Sequence, residues 1–166
     1  MKMLERYQKL RAPEFQGGFD PLVANKWKED VSSLLELLGV DPVQSHRLAA
    51  FSLKGDACLW YKMHFTKEEM TTVTWTKFLK RFNAHFISSA AKAGKEAELI
   101  DLEQRELFVA DYESKFVSLC HFTDMFQNPE CQARMFESGL RTRIRQHVVS
   151  QSFPTLRGGG RCNTET

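Results

Sequence analysis

The residues best able to carry out chemistry in this sequence are its cysteines and histidines. Cys58 and His64 are six residues apart on one predicted helix, which turns by about 240° over that distance and places them on roughly opposite faces. A catalytic nucleophile needs a base within hydrogen-bond reach. The sequence also lacks a Gly-x-Ser-x-Gly elbow, a phosphate-binding loop and a dinucleotide-binding fingerprint. We therefore predict that the protein has no catalytic residues and no cofactor.

The pattern closest to a metal site is the pair Cys120-His121 together with Cys131. Zinc sites need three or four ligands at matched spacing, and the sequence contains no Cys-x-x-Cys pair. Cys120 also falls on the apolar stripe of a predicted helix, where a buried and unreactive thiol is expected. The sequence therefore predicts no metal site.

A basic segment near the C-terminal end could contact nucleic acid. Arg141, Arg143 and Arg145 lie within five residues, and Arg141 and Arg145 would share one face of a helix. Favourable charge near a helix C-terminus would explain the same pattern. The formal net charge of +2 is too small to make the whole chain a strong nucleic-acid binder. RNA contact and helix-end charge are therefore alternative interpretations of these three arginines.

Apolar residues at helical spacing supply the elements that would position these groups. The clearest stripe has offsets 0, 3, 4, 7 and 11 and consists of Trp75, Phe78, Leu79, Phe82 and Phe86. An N-cap residue followed by proline predicts three helix starts, at Asp20-Pro21, Asp41-Pro42 and Asn128-Pro129. Roughly eight helices and no convincing strand can be assigned, which predicts an all-α fold.

The predicted helices fall into two groups, separated by a small and polar stretch at residues 88–91 that we interpret as a hinge. The expected order is a basic polar leader over 1–12, an N-terminal lobe over 13–88, a C-terminal lobe over 89–152 and a disordered tail over 153–166. No apolar run approaches the roughly 20 residues that cross a bilayer. We expect no membrane partner and a cytoplasmic location.

Three local expectations follow from the same patterns. In the first lobe, the helix that starts at Pro42 should run to about Lys54, and residues 66–73 should form a polar loop. In the second lobe, one helix should place its apolar stripe on Ala97, Ile100 and Leu107.

Five different blocks of aromatic, glycine and other characteristically spaced residues lie along the chain between about Phe15 and Val148. They are Phe15-x-Gly17-x-x-Asp20-Pro21-x-x-Ala24-x-x-Trp27; Leu53-x-Gly55-x-Ala57-x-x-Trp60; Trp75-x-x-Phe78-x-x-x-Phe82-x-x-x-Phe86; Leu102-x-Gln104 with Val109-x-Asp111-Tyr112-x-x-x-Phe116-x-x-Leu119; and Phe136-x-x-Gly139-Leu140-x-x-x-Ile144. In this order, the blocks resemble the capsid region of Gag proteins from gypsy-type LTR retrotransposons. The zinc knuckle and the protease signature of a complete Gag are absent.

The resemblance implies a two-lobed, retroviral-capsid-like fold without catalytic residues. It implies a structural protein that self-associates, with ring contacts through the first lobe and dimer contacts through the second, and that can form virus-like particles. The dimer contact would involve Tyr112, Phe116 and Leu119.

Cellular genes descended from such elements carry the same module, so a second hypothesis is a monomeric helical adaptor. It would bind a partner peptide in a groove of the first lobe near Phe15, Phe19 and Trp60. RNA binding through the arginine-rich helix is the third hypothesis.

Overall fold

The structure, a computed structural model, describes residues 2–141, and nine α-helices account for most of that range. They are α1 (Lys2–Lys9), α2 (Pro21–Leu38), α3 (Pro42–Ala50), α4 (Gly55–His64), α5 (Glu69–Thr72), α6 (Trp75–Phe86), α7 (Ser89–Ile100), α8 (Val109–Thr123) and α9 (Pro129–Gly139). Within residues 2–141 there is no β-strand beyond an isolated parallel bridge between Phe15 and Leu53. The predicted all-α fold is confirmed.

The chain divides into two compact units between Ala91 and Lys92. Part of the stretch interpreted as a hinge is helical, because α7 begins at Ser89. The Ser88 hydroxyl accepts a hydrogen bond from the Ala91 backbone N–H at 3.2 Å, as an N-cap side chain does. The tail predicted over 153–166 lies outside the described residues.

The predicted helix starts occur where the N-cap residues stand. Asp20 accepts a hydrogen bond from the Leu22 N–H at 3.0 Å, and Asn128 accepts one from the Glu130 N–H at 2.8 Å. Asp41 does the same at the start of α3. At the other end of α2, Gly39 has a φ of 63°, the left-handed conformation that glycine adopts at little cost.

The core of the first unit is built around aromatic rings from four parts of its sequence. The Phe15 ring stacks on Trp27 with ring centroids 5.5 Å apart, and Phe82 lies 5.4 Å from Phe15 and 5.2 Å from Trp27. The ring centroids of Trp60 and Phe86 are 5.0 Å apart. Such pairs add about 0.5–1.5 kcal/mol each beyond the burial of their area, so this cluster holds α2, α4 and α6 together.

Two segments of the first unit differ from the sequence-based expectations. The helix α3 ends at Ala50 rather than near Lys54, because the chain turns there and Leu53 pairs with Phe15. The expected polar loop contains the short helix α5. Thr66 and Glu69 form a capping box at its start, in which each side chain accepts a hydrogen bond from the backbone N–H of the other.

The basic leader forms the helix α1, to which the sequence analysis assigned no element. Tyr7 is its buried residue, and the Tyr7 hydroxyl lies 2.7 Å from the Ser52 hydroxyl, 45 residues away in the sequence. Polar residues on the rest of α1 are exposed. The leader is therefore packed on the first unit through buried Tyr7, with Met3 and Leu4 partly buried against the same core.

The second unit has a smaller core, to which α7 contributes a different face from the one expected. Leu99 is buried, whereas Ile100 is half exposed and Leu107 lies beyond the end of α7. The predicted stripe through Ala97, Ile100 and Leu107 is therefore wrong, because the helix ends at Ile100 and its buried position is Leu99.

None of the helices within residues 2–141 has the length and apolar character needed to cross a membrane.

Candidate functional site

The extended segment around Phe15 fills the place where the sequence suggested a groove for a partner peptide. The Phe15 N–H donates to the Ser52 carbonyl at 2.9 Å, and the Lys54 N–H donates to the Phe15 carbonyl at 2.9 Å. Phe15 and Trp60 are both buried in the core. As a correction, these two residues do not line an open groove, because the chain's own backbone and rings occupy that space.

Gly17 allows this segment to lie against α4. Its φ is +91°, and a Cβ placed there would meet the Ala57 backbone nitrogen at 2.9 Å. A side chain is therefore excluded both by the backbone conformation and by space. The tight approach brings the chain past α4 and leaves Phe19, the third predicted groove residue, fully exposed.

Two pairs of large apolar side chains are exposed on the first unit. Leu59 and Met63 are one helical turn apart on the same face of α4, with 57% and 73% of their surface exposed. Phe19 stands just before α2, and Val23 in its first turn is 54% exposed. Single exposed apolar residues are ordinary on protein surfaces, whereas a grouped face is typical of an interaction site.

The residues predicted to make the dimer contact lie in the core of the second unit. Tyr112, Phe116 and Leu119 are all buried, and the Tyr112 hydroxyl donates to the Phe136 carbonyl at 2.8 Å. The apolar stripe that suggested a contact surface faces inward instead. On α8 the exposed large apolar side chains are Val109 and Val117, and Phe108 is exposed just before the helix begins.

The structure places one of the three arginines of the basic segment, and Arg143 and Arg145 lie outside the described residues. The Arg141 N–H donates to the Gln104 side-chain oxygen at 3.1 Å, and the Arg141 guanidinium donates to the Leu107 carbonyl at 3.2 Å. Gln104 is itself completely buried and donates to the same carbonyl. This amide fixes the backbone at the start of the basic segment.

The thiol of Cys120 is not an activated nucleophile. Cys120 is buried, and burial raises the pKa of its thiol, which disfavours the reactive thiolate. A surface pocket next to it is also lined by His121 and Asp124. Among residues 2–141, no three His, Cys, Asp or Glu side chains converge as a metal-binding group.

One functional candidate that the sequence analysis missed is His46, which is completely buried in the first unit. Its Nδ1 donates to the Val73 carbonyl at 2.8 Å, and its Nε2 accepts from the Tyr61 hydroxyl at 2.9 Å. Burial lowers the pKa of the imidazole, because the charged form loses its hydration. The available signal was its helical spacing to Ala49, which lies on the buried face of α3.

Comparison with known proteins agrees with this architecture. The geometry defines a helical fold with exposed apolar side chains and, in its described part, no assembled catalytic group. Residues 9–87 match the family model described as "Retrotransposon-derived protein PEG10, N-terminal capsid-like domain". The match is consistent with a retrotransposon Gag capsid region over residues 9–87, which confirms the resemblance for the first unit. No curated protein and no solved structure matches the chain.

The match over residues 9–87 supports a Gag-like, capsid-like structural role. This domain family is structural rather than catalytic. The matched range ends at Ile87, one residue after the end of α6, so the match does not include the second unit.

Proposed function

We propose that the protein is a self-associating building block whose partner is a second copy of the same chain. The exposed apolar face of α4, Leu59 with Met63, carries this proposal. An exposed apolar face of this kind can be buried against an identical neighbour, and such contacts close into rings when the rotation between copies closes. Repetition of ring and dimer contacts would produce virus-like particles in the cytoplasm.

The energetics support the α4 face as one part of the interface. Burying one large aliphatic side chain contributes about 1.5–3 kcal/mol, and 1.4 kcal/mol changes a dissociation constant tenfold. Leu59 and Met63 are close enough to enter the same contact, since they lie one turn apart on α4. Capsid-like assemblies need weak and repeated contacts, and a two-residue apolar face is of suitable strength.

The proposal is tested with the double variant Leu59→Ser/Met63→Ser and the control Leu37→Ser. Leu37 is exposed on α2 and has no apolar partner one turn away that is equally exposed. We expect the double variant to raise the dissociation constant of self-association at least tenfold, as measured by sedimentation velocity. The dissociation constant of the control should stay within threefold of the wild-type value. Equal effects of both variants would mean that the α4 face is not a specific contact.

The adaptor alternative now depends on Phe19, because Phe15 and Trp60 are buried. RNA binding by Arg141 with Arg143 and Arg145 stays a second proposal, supported by the exposed position of Arg141 and its fixed backbone. Neither alternative requires that the chain self-associate, so a monomer at high concentration would favour one of them.

A further inference from the structure

Two exposed imidazoles meet beside Trp60, although they are 21 residues apart in the sequence. The ring centroids of His64 and His85 are 6.0 Å apart, and each ring lies within 6 Å of the Trp60 ring. His64 is the last residue of α4, and His85 lies in the last turn of α6. The aromatic core that packs these two helices together also fixes the distance between the two rings.

The geometry points to a two-histidine site for a divalent transition-metal ion, Zn²⁺ or Cu²⁺. An imidazole nitrogen binds Zn²⁺ at about 2.0–2.1 Å, which puts the ring centroid roughly 3.2 Å from the ion. The centroids of two such rings are then about 5.2 Å apart when the two ligands make a tetrahedral angle at the ion. They are about 6.4 Å apart when the two ligands lie on opposite sides of the ion. The observed separation of 6.0 Å lies inside this window.

The hydrogen bonding of His64 leaves one of its ring nitrogens available to bind a metal. Its Nδ1 lies 2.9 Å from the Trp60 carbonyl oxygen, which can only accept, so Nδ1 carries the proton. The lone pair of His64 is therefore on Nε2. Metal-binding histidines commonly donate their other N–H to a carbonyl in this way, which fixes the tautomer and raises the basicity of the ligand nitrogen.

The surrounding charges favour a cation. The helices α4 and α6 both end at this place, and the carbonyl end of a helix carries a partial negative charge. One positive side chain, that of Arg81, is close by, since it donates to the His64 carbonyl at 3.3 Å. Its charge is offset by Glu69, whose carboxylate it contacts at 2.8 Å.

Within residues 2–141, no third ligand side chain joins this pair. Water completes the coordination, and the expected affinity is below that of a four-ligand structural zinc site. Imidazole ligands favour Cu²⁺ over Zn²⁺ and bind Mg²⁺ poorly. Because the pair joins the ends of two helices of the first unit, a bound ion would bind the folded state and stabilise it.

The test titrates the full chain with ZnCl₂ and with CuCl₂ at pH 7.5 and compares it with His64→Gln, His85→Gln and the control His121→Gln. His121 is exposed in the second unit. We expect one ion per chain and at least a tenfold loss of affinity in each of the first two variants, with no loss in the control. Cu²⁺ should also quench the fluorescence of Trp60, reversibly with EDTA, and Mg²⁺ should not compete.

Circular dichroism of each variant shows whether its helices have formed, and the wild type provides an independent readout. Its melting temperature should rise on addition of Zn²⁺ and return to the starting value with EDTA, because the ion binds the folded state. Absence of binding by the wild type at millimolar Zn²⁺ and Cu²⁺ would overturn the site. Equal affinity in the wild type and in both folded variants would overturn it as well.

Discussion

The Nε2 atom of His46 lies 2.9 Å from the Tyr61 hydroxyl, inside the aromatic core of the first unit. Since Nδ1 donates to the Val73 carbonyl, Nε2 must accept the Tyr61 proton, and only the neutral imidazole makes both bonds. The same burial raises the pKa of Tyr61 to about 12, so the hydroxyl stays a donor at neutral pH. The positive charges of Arg47 and Arg81 further oppose protonation of His46.

The stability of the protein should therefore fall in mildly acidic solution. The folded-state pKa of His46 is lowered below its ordinary value. The contribution of neutral His46 to the free energy of unfolding is therefore fully present above the unfolded-state pKa of about 6.5. It is lost as the pH falls from there through the folded-state pKa. Each unit of difference between the two pKa values corresponds to about 1.4 kcal/mol.

Urea denaturation between pH 7.5 and pH 5 measures this effect. His46→Gln should unfold at lower urea concentration at every pH and should lose most of the pH dependence. His121→Gln, at an exposed position of the second unit, should retain the wild-type pH profile. A wild-type stability that does not change over this range would show that His46 accepts a proton without cost.

The helix α1 should contribute to the stability of the first unit, although it lies almost wholly before the range that matches the family. Tyr7→Ala removes a buried ring and should cost about 3–5 kcal/mol, as aromatic truncations in cores do. Tyr7→Phe keeps the ring but leaves the Ser52 hydroxyl without its partner, which should cost about 1 kcal/mol. Denaturant titration measures both values.

Arg6→Ala is the matched control for α1, because Arg6 is exposed beside Tyr7. Its effect should stay within about 0.5 kcal/mol, the usual range for surface positions. If Tyr7→Ala were as mild as Arg6→Ala, α1 would not be part of the folded unit.

Two glycines of the second unit should respond to alanine with opposite signs. A Cβ at Gly139 would meet the Tyr112 hydroxyl and, at 2.9 Å, the Leu102 carbonyl. Gly139→Ala should therefore destabilise the unit by about 1–3 kcal/mol, as overpacking does. Gly94 lies inside α7 with no atom within 4 Å of such a Cβ, so Gly94→Ala should stabilise the helix by up to about 1 kcal/mol.

Thermal unfolding of the two alanine variants tests this pair directly. A loss of stability at Gly139 with a gain at Gly94 supports the packing described here. A gain at both positions would mean that Gly139 does not lie against Tyr112.

If the basic segment binds RNA, its three arginines should account for part of the salt dependence of the affinity for RNA. Replacing Arg141, Arg143 and Arg145 with alanine removes three charges and should reduce the slope of log affinity against log salt by about 2, given roughly 0.7 per contact with a single strand. The control Lys67→Ala/Lys77→Ala/Lys80→Ala removes the same charge from exposed positions of the first unit. A gel-shift salt series measures both slopes, and equal slopes for the two variants would reject a specific role of the arginines.

The helix starts were predictable because their signals are local. Asp20-Pro21 and Asn128-Pro129 form caps with neighbouring backbone atoms. The bridge between Phe15 and Leu53 and the bond between Tyr7 and Ser52 join segments far apart in the sequence, and spacing within one helix carries no information about such contacts.

Assignment of the candidate sites failed for a related reason. An aromatic residue at helical spacing is either core or contact surface, and the pattern is the same in both cases. Tyr112, Phe116 and Leu119 turned out to be core. The apolar face of α4 was not singled out, because Leu59 and Met63 stand next to buried Trp60 and Tyr61 in the sequence and only the fold separates the two faces.

Sedimentation equilibrium of the wild-type chain over a hundredfold range of concentration tests most directly whether the molecule is a building block. If identical chains bury their apolar faces against each other, the weight-average mass will rise steadily above the 19.2 kDa of one chain. A mass that stays at 19.2 kDa over the whole range would contradict self-association and leave a monomeric capsid-like domain.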